Sequence, residues 1–216
     1  MRRSKIAGGL SVTVVLLLAG CDGSSTEDAA TASEPAVGAA PWSRPTGTAD
    51  LTEAAGLELK RVEHLDYHVH AHLDVFVNGE PIEVPAAIGI VIDDPAVKEF
   101  PSDLGSEYGG IDPEKGCDDP CISPLHTHSA DGVLHTESAI TAPNTLGQFF
   151  TEWDVKLDPE CVGGYCGPET TIGVYVDGEP YDGNPADIEL VDEREIAIVI
   201  GSPPAEVPST FDFTGV

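Results

Sequence analysis

From Tyr67 to Asp74 apolar and polar side chains alternate without a break. Tyr67, Val69, Ala71 and Leu73 occupy one set of positions; His68, His70, His72 and Asp74 occupy the other. Val75 and Val77 carry the apolar row onward. A period of two is the signature of a strand with one buried face. The segment must therefore lie in a sheet, with three imidazoles and a carboxylate in a row on the face away from the core. Asn78-Gly79 follows, and both residues tolerate positive φ, which predicts a tight hairpin turn. Residues 81–84 then form the returning arm, and 88–92 reads as a further apolar strand.

A second group of histidines follows the same logic. Residues 122–128 and 133–137 read as the arms of a hairpin around Ser129-Ala130-Asp131-Gly132, and they carry His126, His128 and His135. A four-residue loop sets His126 opposite His135, and a two-residue loop sets His128 there. In either register all three share one face, while Leu125 and Leu134 share the other.

The remaining elements are read in the same way. Residues 51–55 suit a short helix capped by Thr48 or Asp50 and stopped by Gly56. Residues 93–120, rich in Pro, Gly and Asp, read as a long loop in which no chemistry is legible. Thr145 and Gln148 form a capping box, with Asn144 as an alternative cap. Leu146, Phe149, Phe150 and Trp153 then recur on one helical face, predicting one amphipathic helix around 145–154 whose aromatics are core. Strands are expected at 171–176, 187–191 and 195–200, with a second hairpin turn at Asp177-Gly178. Val-Tyr-Val-Asp-Gly-Glu-Pro echoes the earlier Val-Phe-Val-Asn-Gly-Glu-Pro, which is compatible with two related halves, of which only the first carries histidines. The fold class expected is mostly β (α+β): antiparallel hairpins in a sandwich-like sheet with one helix.

The first residues dictate location. Met-Arg-Arg-Ser-Lys, a short apolar run and Leu-Ala-Gly-Cys make a secretory signal peptide over 1–20. The Cys after Leu-Ala-Gly resembles a bacterial lipobox, which implies lipidation of Cys21 and anchoring to the outer face of the cell membrane. Residues 21–48 read as lipid anchor and disordered tether, and 49–216 as a single β-rich domain. Acidic residues outnumber basic ones 38 to 10, for a formal net charge of −28, so no basic surface exists for nucleic acid. Four cysteines remain beyond Cys21, an even number in an exported domain. Their spacing favours disulfides Cys117–Cys121 and Cys161–Cys166 over metal-binding thiolates.

Six of the seven histidines thus fall in two strand-borne clusters. Neutral imidazole is the commonest protein ligand of transition metals. Residues i and i+2 of one strand place adjacent pairs within reach of one ion, and a neighbouring strand usually completes the set. His68, His70, His72, His126, His128 and His135 are therefore the expected ligands of one ion or two neighbouring ions. Asp74, Asp131 and Glu137 are expected to orient imidazole N–H groups. His64 lies outside the row. The only Met leaves with the signal, so an all-imidazole site for Cu(II) or Zn(II) is expected.

The segments His-Val-His-Ala-His-Leu-Asp-Val-Phe-Val-Asn-Gly, Ser-Pro-Leu-His-Thr-His-Ser-Ala-Asp-Gly-Val-Leu-His-Thr-Glu and Thr-Leu-Gly-Gln-Phe-Phe resemble a group of exported bacterial lipoproteins over about 57–202. The resemblance implies that these segments belong together. The His-x-His step is shared with cupins and copper–zinc superoxide dismutases, but the cupin glutamate and the remaining dismutase ligands are not at their spacings. The functional expectation is a surface lipoprotein that binds a divalent transition metal for sequestration, delivery or sensing. A metal-dependent enzyme whose His₃ ion activates water or oxygen is the alternative, with a metal-free pH-responsive binding module as a third reading.

Overall fold

The computed structural model describes residues 40–216. The signal peptide, Cys21 and the tether as far as residue 39 lie outside the described residues. The elements, in chain order, begin with helix α1 (Thr48–Ala54), strands β1 (Tyr67–Val77), β2 (Glu80–Ile82), β3 (Lys98–Ser102), β4 (Gly105–Gly109), β5 (Leu125–His126) and β6 (Val133–Ser138). Helix α2 (Leu146–Glu152), β7 (Cys161–Val162), β8 (Tyr165–Cys166), β9 (Ile172–Val176), β10 (Glu179–Pro180), a 3-10 turn (Pro185–Asp187) and β11 (Arg194–Ile200) follow.

The main sheet has the order β10-β9-β11-β1-β6-β5, with β2 paired to the far end of β1. Strand β1 is its axis. It runs antiparallel to β6 through Tyr67↔Ser138 to His72↔Val133 and antiparallel to β2 through Val75↔Ile82 to Val77↔Glu80. On its other edge it runs parallel to β11, from Ala71↔Arg194 to Val77↔Ile200. That parallel pair makes the sheet mixed, where hairpins alone had suggested an antiparallel one.

The alternation in β1 has the physical result expected of it. Ala71, Leu73, Val75 and Val77 are buried together with Ile196, Ile198 and Ile200 of β11 against Leu146, Phe149, Phe150 and Trp153. Helix α2 and the small β7–β8 ribbon cover this face, where a sandwich would place a second large sheet. Helix α2 starts as read: the Thr145 hydroxyl accepts the Gln148 N–H, and the Gln148 side chain accepts the Thr145 N–H at 2.9 Å. Both turns expected of Asn78-Gly79 and Asp177-Gly178 have positive φ at both residues, at 54° and 83° and at 52° and 80°. Their hairpins, β1–β2 and β9–β10, stand on either side of β11. Cys161 pairs with Cys166 across β7–β8, and Cys117 with Cys121 in a satellite core with Ala87, Ile90, Ile111 and Ile122; both pairs are disulfides.

Five expectations are corrected. Residues 88–92 form no strand: Ile88 is buried in a turn, and buried Ile90 makes only an isolated bridge to Ile122. Gly89 at φ 74° lies so close to β5 that a Cβ there would stand 2.4 Å from the Leu125 carbonyl oxygen. Residues 187–191 likewise contribute only the 3-10 turn and an isolated bridge, Thr145↔Glu189. The stretch 93–120 is not simply a loop but contains the β3–β4 hairpin. Helix α1 begins after Gly47, at φ 82° and without a side-chain cap, so neither Thr48 nor Asp50 caps it. The packed domain begins before residue 49. Trp42 stacks on Tyr165 with centroids 6.2 Å apart, and its carbonyl accepts the Trp153 indole N–H at 3.1 Å.

Candidate metal centre

Sheet register brings the two histidine clusters together. His70 of β1 pairs with His135 of β6, which pairs in turn with His126 of β5. The three stand in one row across three neighbouring strands, on the face opposite the core. His68 pairs with Glu137 in the next row of that face. His128 lies just beyond β5, where its carbonyl accepts the Tyr108 N–H at 3.0 Å and its Nδ1 meets the Tyr108 carbonyl at 2.5 Å. Around the His135 ring the centroids of His128, His70, His126 and His68 lie at 4.5, 4.6, 5.4 and 6.0 Å.

Hydrogen bonding fixes the tautomers of the inner pair. His126 Nδ1 stands 2.8 Å from the Ser123 carbonyl, as His128 Nδ1 stands against Tyr108. A carbonyl only accepts, so each Nδ1 carries the proton and each neutral ring turns an Nε2 lone pair inward. Those two Nε2 atoms are 3.2 Å apart. Two lone pairs at that distance repel unless a cation lies between them. His68 and His70 Nε2 are 2.9 Å apart on the outer side. His135 Nδ1 and Glu137 Oε2 are buried without a hydrogen-bond partner.

Glu137 belongs among these rings. Its Oε1 lies 3.3 Å from His68 Nε2, 3.8 Å from His126 Nε2 and 3.9 Å from His135 Nδ1. It was expected to orient a ligand, and it stands where it can be one. Among the described residues, two of the groups whose donor atoms lie within 4.8 Å of one another share His135: His126, His128, His135 and Glu137, and His68, His70 and His135; His72, Asp74 and Glu195 form a separate group. The first two are His and Glu groups of a kind that can hold a metal ion.

Electrostatics agrees with that chemistry. Burial, reinforced by the neighbouring imidazoles, holds His126 and His135 far below the ordinary histidine range. His68 and His70 are also lowered, first by burial and then by His128 and His68 respectively. Burial, with Glu63 nearby, pushes the Glu137 carboxyl up to about 8. His68, His70, His126 and His135 are thus neutral, electron-rich donors beside a carboxyl short of positive charge.

His72 stands apart from it. It shares the face of His68 and His70, but its Nε2 donates to the Asp131 carbonyl at 2.9 Å and its Nδ1 faces Glu195 Oε2 at 2.8 Å. Phe211 stacks on the ring at 3.9 Å. Burial lowers its pKa, but the hydrogen bond and charge of Glu195 outweigh that and the net shift is upward. Asp74, 3.8 Å from His72 Nδ1, belongs to this ion pair. Asp131 orients an imidazole through its backbone carbonyl, while its carboxylate accepts the Val133 N–H. His64 is in neither donor group. Cys117 and Cys121 lie near Asp94, but their sulfurs are bonded to each other.

Three contributors carry no sequence signal. Tyr108 supplies a backbone carbonyl from the β3–β4 hairpin. Glu63, in the segment before β1, acts on His68 and Glu137 by charge. Asp192, before β11, accepts the His70 N–H at 3.4 Å. None belongs to a periodic pattern, so only the folded chain reveals them. Compared with protein-family models, with curated proteins and with solved structures, the chain matches none.

Proposed function

We propose that this protein binds a divalent transition metal, Cu(II) or Zn(II), through His126, His128, His135 and Glu137 with His68 and His70 alongside, for sequestration, delivery or sensing. We further propose that it acts as an exported lipoprotein held at the outer face of the cell membrane through Cys21. Two disulfides in the described residues support an oxidising compartment. One observation carries the metal reading: two Nε2 lone pairs 3.2 Å apart, on buried His126 and half-buried His128, each fixed by a backbone carbonyl on the opposite nitrogen. Metal-ligating histidines are ordinarily held in that way. A pH switch is a poorer fit, because burial keeps His126 and His135 neutral where an exposed imidazole would begin to charge.

Titration calorimetry of the metal-free protein with Cu(II) and Zn(II) tests this. Binding at or below about micromolar concentration, near −8 kcal/mol, is expected for one of the two. His126→Ala/His128→Ala should abolish that affinity. Folded wild-type protein that takes up neither ion ends the proposal. Elemental analysis of protein expressed with its export signal identifies the resident metal.

A further inference from the structure

We propose that the centre is a two-position relay: an ion is caught by His68 and His70, and passes by way of His135 to His126, His128 and Glu137. The relay rests on the metal-binding reading above and adds a direction and an order to it.

The two donor groups overlap only at His135. Donor atoms about 2.0–2.2 Å from an ion stand at most about 4.4 Å apart; His68 Nε2 and Glu137 Oε1 meet that limit at 3.3 Å, but no set of donor atoms within 4.8 Å of one another holds His68 and His70 together with His126 and His128, so the two imidazole pairs do not share one position. The groups also differ in access. The His68 side chain retains 33% of its exposure, whereas those of His126 and Glu137 retain 0% and 4%, with His128 half-buried. Solvent therefore meets the His68–His70 pair first.

The groups differ in readiness too. The Ser123 and Tyr108 carbonyls hold His126 and His128 in the metal-binding tautomer. Among the described residues no carbonyl holds Nδ1 of His68 or His70. The outer pair is adaptable and wet, which suits capture and rapid release. The inner pair is preorganised, with His126 buried and His128 half-buried, and Glu137 adds the only carboxylate of either group, so the inner position is the more stable.

His135 connects the two. Its ring is nearly perpendicular to His70, at 80°, and to His128, at 76°. A neutral imidazole has one lone pair for a metal, so His135 serves one ion at a time. Its Nδ1 has no hydrogen-bond partner, so exchange breaks no hydrogen bond there. In the transfer, bonds from the ion to His68 and His70 break as bonds to His126, His128 and Glu137 form. Neither inner imidazole must shed a proton, because each N–H already sits on its carbonyl, and the one proton displaced, that of the Glu137 carboxyl, leaves to solvent as the ion arrives.

The test uses the full chain, freed of metal, with Zn(II) as the probe. Stoichiometry, affinity by chelator competition and association rate by stopped flow are measured for wild type, His68→Ala/His70→Ala and His126→Ala/His128→Ala. Wild type should bind one ion. The outer variant should keep its affinity within about tenfold while its association slows several-fold. The inner variant should bind one ion more weakly and surrender it to chelator quickly. His68→Gln/His70→Gln repeats the outer test with less change in volume. Two ions bound at once to wild type overturn the relay, as does an outer variant that loses affinity at an unchanged association rate, the mark of a single shared shell. Wild type that binds no ion overturns the metal-binding reading itself, an outcome distinct from both.

Discussion

The carbonyl oxygens of Ser123 and Tyr108 hold Nδ1 of His126 and His128 and leave each Nε2 to face inward, whereas in His72 the Glu195 carboxylate holds Nδ1 and the Asp131 carbonyl takes Nε2 as well. Three histidines on one side of the same sheet thus have two different chemistries. His72→Gln should cost roughly 3–5 kcal/mol in urea denaturation, because it strips a buried carboxylate of its partner, while metal affinity stays near the wild-type value. Glu137 gives a pH signature. Its folded pKa, about 8, lies above the ordinary 4.5. The folded state therefore keeps a proton that the unfolded state has lost, and Glu137 stabilises the metal-free protein less as pH rises between those values. Buried His126 and His135 act in the opposite sense, withdrawing stability as pH falls through about 6.5. In thermal melts of the metal-free proteins, Glu137→Gln should gain on wild type between about pH 5 and about pH 9. A constant difference across that range would show that Glu137 does not hold its proton.

At the scale of elements, the clearest lesson is the β3–β4 hairpin. It lies in a stretch whose composition suggests only loop, yet it supplies the carbonyl that orients His128. Gly109 ends β4 at φ 150°, and a Cβ there would stand 2.8 Å from His128 Nδ1. Gly109→Ala should leave the core intact and weaken metal binding by about 10–100-fold, the usual cost of losing the group that orients a ligand; calorimetry reads it directly. Helix α2 makes the complementary case. Thr145→Ala removes one half of a capping box and should cost about 1 kcal/mol of stability without altering metal affinity. The β1 pattern, both Gly-containing turns and this cap were legible because each is set by neighbours a few residues away. The apolar runs at 88–92 and 187–191 misled because hydrophobicity reports burial, and a turn wedged beneath a strand is as buried as a strand.

The whole molecule is an acidic body around a site of neutral donors. A net charge of −28 raises the local concentration of cations, and salt screens it within about 10 Å at moderate ionic strength. The association rate of Zn(II) should fall as sodium chloride is raised while the dissociation rate stays nearly constant. Equal effects on both rates would place the steering charge within the site itself. Metal should also stabilise the fold, by about 2.7 kcal/mol at a free concentration a hundred times the dissociation constant, visible as a rise in melting temperature that chelator reverses.

By itself the sequence determined the periodicities. Histidines two apart on a strand must share a face, His126, His128 and His135 must share another across an even-numbered hairpin loop, and the paired cysteines are close enough to bond locally. It did not determine that the two histidine faces are the same one. That was decided by β6 lying between β1 and β5, which sets His135 between His70 and His126. Pairing between distant strands depends on the packing of the whole core, and no local pattern records it. The parallel pairing of β1 with β11 likewise decided that Glu195 would meet His72 and withdraw it from the site.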